Sequence, residues 1–381
     1  MGLQGLRRLG PTEFSGSSLL PHRHMRTPNV NFAMDDDVLA LVDSIADFFE
    51  RRDDAQVIAQ DAATSATADR QRWAALCEIG LPVLRLAEPD GVGAGLLEAT
   101  AVAEKLGAVL VPEPAVATIV LASAWSAHSE ASGLLDTLCN GSRITALCGF
   151  DTVGLSPAGE VSGEVDVPDD GVTDAVALLA RDRYTAESAI VIVDKTELPL
   201  PISRKDVDRT RPTALINLNG AEPVEVLRLS DAAADQIRRE LALLTIAELV
   251  GGMQKVITET VEFVKSREQF GRAIGSFQAI KHRLADMYVA TEQARAAVQL
   301  AAIQCAGGTD SACAAVASAA RWIPRSAIGL FEDAIHLHGA MGYSWEVDVH
   351  LHLRRALATR AALNRSSAVA DHHFSATTGA A

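Results

Sequence analysis

Apolar positions recur at steps of three and four as far as about residue 138. They alternate between about 140 and 230, then return to steps of three and four from 231 onward. The first helical stretch, DDDVLALVDSIADFFERR from Asp35, sets Val38, Leu41, Ile45 and Phe48 at steps of three and four behind an acidic first turn. In LAEPDGVGAGLLEATAVAEKLG, from Leu86, Gly91, Gly93 and Gly95 interrupt the pattern. No strand precedes them and their spacing is irregular, so a helix–helix connection is expected rather than a phosphate cradle.

The middle of the chain reads as short strands: SRITALCGF, GEVSGEVDVP, DAVALLAR, ESAIVIVD and EPVEVLRLS, separated by Gly, Pro and Asp clusters. Beyond them LALLTIAELVGGMQKVITETVEFVKSRE is apolar nearly all round in its first half, which predicts a helix buried among other helices. Gly251-Gly252 within it predicts close approach of a neighbouring backbone. A further helix is expected from Ser276 as N-cap, with Phe277, Ile280, Leu284 and Met287 on one face. WIPRSAIGLFEDAIHLHGAM predicts another ending at Gly339, and SWEVDVHLHLRRALATRAAL a last one.

The expected fold is therefore α+β, mainly α: an N-terminal helical domain (34–138), a small central β-domain (139–230) and a C-terminal four-helix-bundle domain (231–381). Residues 1–33, rich in Gly, Pro, Ser and Arg, are expected to be a leader or a mispredicted start, with Met34 the true initiator.

Composition narrows the function more than the fold. With 381 residues and 48% hydrophobic residues the chain can bury a large core. No uninterrupted apolar run is long enough to predict a membrane span. A net charge of −15 disfavours nucleic acid or an anionic membrane as partner, so any phosphate site must be locally basic. Cys77, Cys139, Cys148, Cys305 and Cys313 form no CxxC pair, the usage of a reduced, cytoplasmic protein. His336, His338, His350 and His352 lie as two H-x-H pairs on helices, with rings about 200° apart, so no metal site is expected.

Two stretches carry chemistry. In REQFGRAIGSFQAIKHRLADMY, Arg267 is followed by Phe270-Gly271 and by Phe277-Gln278 at the head of a helix. A guanidinium offers phosphate a rigid fork of donors that stays charged. In AIHLHGAMGYSWE, Gly339 and Gly342 bracket a turn whose peptide N–H groups can approach an anion. Together with the helix–sheet–helix order, the full R-x-x-F-G-x-x-I-x-x-F-Q spacing resembles the acyl-CoA dehydrogenase family, flavoenzymes that desaturate acyl-CoA thioesters.

That resemblance implies FAD as cofactor, with Arg267, Phe270, Gly271, Phe277 and Gln278 reaching the pyrophosphate and adenine half held by a neighbouring subunit. His336, Gly339, Ala340 and Gly342 match the family's second FAD-touching segment, although His336 replaces a Gln and Ala340 a Gly. The family's usual catalytic Glu falls at Leu363, and leucine cannot accept a proton. The alternative base position on the long helix falls at Leu241, leaving Glu240 and Glu248 as nearby carboxylates; a Glu paired with Arg is the structural reading of either. The flavin-ring motif of the family's first strand is absent from TALCGFDTVG.

The resemblance thus implies a subunit without a catalytic base, completing the FAD site of a related acyl-CoA dehydrogenase chain, with an acyl-CoA substrate of bulky or steroid type and a separate electron-transfer acceptor. A self-sufficient homo-oligomer using Glu248 or Glu240, and a non-catalytic scaffold, are the alternatives.

Overall fold

The computed structural model describes residues 36–366, apart from 53, 65–67, 130–132, 158, 183, 186, 206 and 309–310. The leader or start expected over 1–33 lies outside the described residues. Six helices come first: α1 (Asp36–Arg52), α2 (Asp54–Thr64), α3 (Arg70–Glu78), α4 (Leu96–Ala108), α5 (Ala115–His128) and α6 (Gly133–Cys139). Eight strands follow: β1 (Thr145–Leu155), β2 (Val161–Ser162), β3 (Glu164–Pro168), β4 (Ala175–Asp182), β5 (Ser188–Asp194), β6 (Ser203–Lys205), β7 (Thr213–Asn217) and β8 (Glu225–Leu229). Helix α7 (Asp231–Ser266), a hairpin of β9 (Glu268–Gln269) and β10 (Arg272–Ala273), then α8 (Gln278–Ala306), α9 (Ser311–His338) and α10 (Val349–Arg365) complete the chain. The fold is α+β and mainly helical.

The strands form two sheets, β2-β1-β4-β5-β8 and β3-β7-β6. Side chains alternate across a strand, so a strand buried on both faces must be apolar at every position. That is the case in β4: Val176, Leu178 and Ala180 face the second sheet, whereas Ala175, Ala177 and Leu179 join the helical core. GEVSGEVDVP is not one strand. Gly163, at φ +130°, breaks it into β2 and β3, which belong to different sheets. The pattern also left out β6 and β7. The former is three residues at a polar edge, and the latter alternates over only five residues behind an Arg-Pro.

One hydrophobic core runs from the N-terminal helices through the inner face of the larger sheet into the C-terminal bundle. In α1 the buried residues are Val42, Ile45 and Phe49, with Phe48 only half-buried. The Val38 and Leu41 side chains lie outside the described set. The stripe is therefore rotated by one residue from the expected one. An 18-residue window of α7 has a mean hydropathy of 1.4 and is long and apolar enough to cross a bilayer, but 78% of it is buried against the other elements, as a core helix requires.

Helices α4 and α7 cross in direct backbone contact. A Cβ on Gly107 would overlap the Glu248 carbonyl, and one on Gly251 would overlap that of Glu104. The reciprocal spacing, three residues either way, means the two helices run antiparallel with no room for a methyl group. We expect Gly107→Ala to cost about 2–3 kcal/mol in urea unfolding, because neither backbone can retreat from the other. Gly329→Ala, on α9 with no atom near its added methyl, should instead gain about 0.5–1 kcal/mol. Equal effects at the two sites would refute the crossing.

Candidate functional site

Helix α7 ends at Ser266, and the chain turns back through a hairpin with a two-residue loop. Gln269 pairs with Arg272, leaving Phe270 and Gly271 between them at φ +56° and +76°. Positive φ at both loop positions is the requirement of a type I′ turn, which favours Asn-Gly and disfavours a bulky first residue. The Ile274 N–H donates to the Arg267 carbonyl at 2.8 Å, closing the hairpin base. Gly275 lets the following turn lie on α7, since a Cβ there would come within 3.0 Å of the Val264 carbonyl.

This loop presents its side chains outward. Phe270 is 91% exposed and meets the Phe277 ring only edge-on, at 6.1 Å between centroids. The Arg272 guanidinium sits 4.0 Å over the half-buried Phe277 ring. Arg267, Gly271 and Gln278 are exposed, and the Arg267 side chain has no hydrogen bond or ion pair among the described residues. Ser276 is not the N-cap of α8. Its hydroxyl donates to the Ala273 carbonyl at 2.7 Å, and the helix opens at Phe277 with no side-chain cap. Hydrogen bonding within the preceding turn outcompetes the cap role.

The second stretch lies alongside. Helix α9 ends at His338, Gly339 takes φ +64°, and a 3-10 turn runs from Gly339 to Tyr343. Gly342 is buried where a Cβ would meet the Ile335 carbonyl oxygen at 2.5 Å. His336, Gly339 and Ala340 are exposed. The buried His338 ring stacks on Phe263 at 4.4 Å, and its Nδ1 faces the Ala334 carbonyl at 2.9 Å. Phe263 lies one turn before Arg267 on α7, so this stack joins the two stretches. A free guanidinium, an outward aromatic ring and a backbone turn are groups that fit the pyrophosphate and adenine of a dinucleotide.

At the other end of α7 lies a cavity of about 480 Å³, walled by β1, the segment before β7, the start of α5, the first half of α7 and the end of α10. Neither base position supplies a carboxylate to it. Leu241 lines the wall, and Leu363 is buried in the core at 1% exposure. Glu248 does line the cavity, but both its oxygens accept from Arg211, at 2.8 and 2.6 Å. Glu240 is tied to Arg85 and to the Gln236 amide, 3.1 Å away. Both acids are therefore ion-paired. The partner of Glu248 comes from the loop before β7 rather than from a neighbouring helix.

Beside Glu248, Arg355 bonds Asp208 and the Thr210 hydroxyl deep in the protein. Burial alone would raise the Asp208 carboxyl, but the Arg355 charge, the Thr210 hydroxyl and Arg211 outweigh it and hold it below the usual range. These pairs escaped sequence reasoning. Arg211 lies 37 residues from Glu248 and Asp208 lies 147 from Arg355, and no local pattern marks such partners. From Glu248 to Ser266 the helix rises about 27 Å, so the Arg267 edge and the cavity are well separated along α7.

Among the described residues no group of His, Cys, Asp and Glu can hold a metal. His338 and His352 pack on Phe263 and Phe331, and the His350 Nδ1 faces the Val347 carbonyl. All five cysteines are free.

A small β-sandwich between helical segments, with an exposed Arg–Phe-Gly hairpin at the end of the longest helix, defines a dehydrogenase of the flavin-binding class. Residues 239–363 match the family model "Acyl-CoA dehydrogenase, C-terminal domain". Acyl-CoA dehydrogenase IpdE2 of Mycobacterium tuberculosis is 34% identical over 293 residues, which are 76% of this chain and 80% of that protein. FadE34 of the same organism is 31% identical over 77% of this chain and 40% of its own length. Among solved structures, the ChsE4-ChsE5 complex from Mycobacterium tuberculosis superposes with a TM-score of 0.79 at 23% identity, over 92% of this chain and 100% of that one. A variant of the Tcur3481-Tcur3483 steroid ACAD gives 0.76 at 23%, over 90% and 97%. The chain belongs to the acyl-CoA dehydrogenase family, and is an oxidoreductase of that type.

Proposed function

We propose that this chain is the base-lacking subunit of a heteromeric acyl-CoA dehydrogenase, completing an FAD site held mainly by a related catalytic chain. The observation that carries the reading is an asymmetry along α7. At one end Arg267 is exposed and unpaired beside the outward Phe270. At the other, both base positions are leucines and Glu248 is locked to Arg211. That the ChsE4-ChsE5 structure is a complex of two named chains supports the same assembly.

In this reading the Arg267 guanidinium grips the pyrophosphate with two parallel N–H donors, and Phe270 stacks on the adenine half. Phe277 and Gln278 hold the same half from the helix start, and Gly271 permits the hairpin that presents them. The Gly339–Gly342 turn, with His336 and Ala340, lays backbone against the dinucleotide. FAD, when bound, supplies the hydride acceptor for α,β-desaturation of the acyl-CoA, and the partner chain supplies the carboxylate base. The substrate is of bulky or steroid type, and electrons leave to a separate electron-transfer protein. Five free cysteines suit a reduced, cytoplasmic setting.

The test is co-expression with the related chain, followed by measurement of flavin per chain in the purified species. One FAD per pair of unlike chains is expected. Arg267→Ala should lower flavin affinity by about tenfold or more, since it removes a charge-assisted contact. A chain that alone retains stoichiometric FAD and oxidises an acyl-CoA would overturn the reading.

A further inference from the structure

We propose that the cavity of this chain is itself a binding site, for an uncharged lipid carrying a hydrogen-bonding oxygen, and that it acts separately from the flavin edge. The first observation is its charge. Each carboxylate at the wall already has a cation or donor: Glu248 has Arg211, Asp208 has Arg355, Asp166 has Arg365 at 2.6 Å, and Asp170 has Thr173 with Lys195. An anionic ligand would find no free cation here and could gain one only by breaking a pair that is wholly or partly buried, which leaves a stranded charge. A cationic ligand faces the same obstacle.

The second observation is what remains once the charges are discounted. The wall is mainly apolar, built from residues such as Pro112, Val116, Leu147, Phe150, Leu241 and Leu357. Into it points Thr359, which is only 7% exposed and whose hydroxyl has no partner within the protein. A hydroxyl that buried normally finds a hydrogen bond, and its absence marks the place where a ligand oxygen fits. Thr213, on the same wall, adds a second free hydroxyl. A space of about 480 Å³ is within the range of small-molecule sites. An apolar skeleton bearing a ketone or alcohol satisfies the wall and the hydroxyls together, and a phosphorylated or carboxylated ligand satisfies neither.

This inference does not rest on the flavin role of the opposite edge, and its test separates the two. Isothermal titration of the full chain, alone and in complex with its partner, would use two neutral probes, decanol and testosterone, beside their charged counterparts, decanoate and testosterone sulfate. At least one neutral probe should bind, and its charged counterpart should bind at least about tenfold more weakly. Which of the two binds reports whether the natural skeleton is extended or ring-like. Thr359→Val, which keeps the shape and removes the hydroxyl, should weaken the neutral probe about five- to tenfold. Leu241→Trp should abolish binding by filling the space. Flavin content of the complex should be unchanged in Thr359→Val. The proposal is overturned if neither neutral probe binds, if the charged forms bind equally well, or if Leu241→Trp folds and still binds.

Discussion

Acidification from pH 7 to 4.5 should cost the wild-type chain roughly 3 kcal/mol more than it costs a His352→Leu variant. His352 lies near the start of α10, 2% exposed, with its ring 5.7 Å from that of Phe331 and against α7 at Gly252. Its Nε2 is buried with no hydrogen-bond partner. Burial pushes its pKa down to about 3; Glu259 opposes this, while Arg355 and Lys255 add to it. In the unfolded chain the same imidazole titrates near 6.5. Between these values the unfolded state takes up a proton that the folded state refuses, so stability falls as pH drops below about 6.5 and is flat above it.

Asp208 and Asp174 are held low by their partners, so their loss begins only below the ordinary carboxylate range. Glu104 is raised, first by burial, and therefore acts with the opposite sign. The informative quantity is thus the difference between wild type and variant in chemical-denaturation midpoints at the two pH values, not the raw slope. Identical losses in both proteins would show that His352 is not the group responsible.

How much of this was legible in the sequence depended on the range of the interaction. Periodicity is local, so the switch from helix to strand and back lay open, as did the burial of α7, whose apolar residues leave no polar stripe. The Arg267 and Gly339 stretches were legible because each is a continuous run with its own spacing. Errors arose where two local rules competed. Ser276 has the chemistry of an N-cap, but its hydroxyl bonds the preceding turn instead. Gly163 could have been a weak point inside one strand; its positive φ makes it the point where the chain changes sheet.

Least legible were the long-range pairs. Glu248 in LALLTIAELV could be read as a desolvated acid or as a paired one, and only the fold brings Arg211 to it. The cavity's neutrality depends on several such pairs, together with a Thr359 hydroxyl that nothing in its own stretch distinguishes.

Phe270→Asn is the substitution that should move fold and cofactor in opposite directions. Phe270 and Gly271 are the two central residues of the hairpin loop, both at positive φ. For an L-residue with a bulky side chain that conformation costs about 1–2 kcal/mol. At 91% exposure Phe270 recovers little of this by burial, and its edge contact with Phe277 is its one aromatic pairing. Asn-Gly is the pair such a turn favours, because Asn tolerates the left-handed region at lower cost. Loss of the ring contact offsets part of the gain, so the variant should be as stable as wild type or more stable by about 0.5–1 kcal/mol. A strained, exposed aromatic that the fold does better without is explained if the ring has work outside the chain. In the assembled protein, removal of a base-stacking ring should weaken FAD by about 5- to 100-fold. The two measurements are a thermal melt of the chain and a flavin titration of the complex. A variant that loses stability and keeps its flavin would show that Phe270 serves the hairpin and not the dinucleotide.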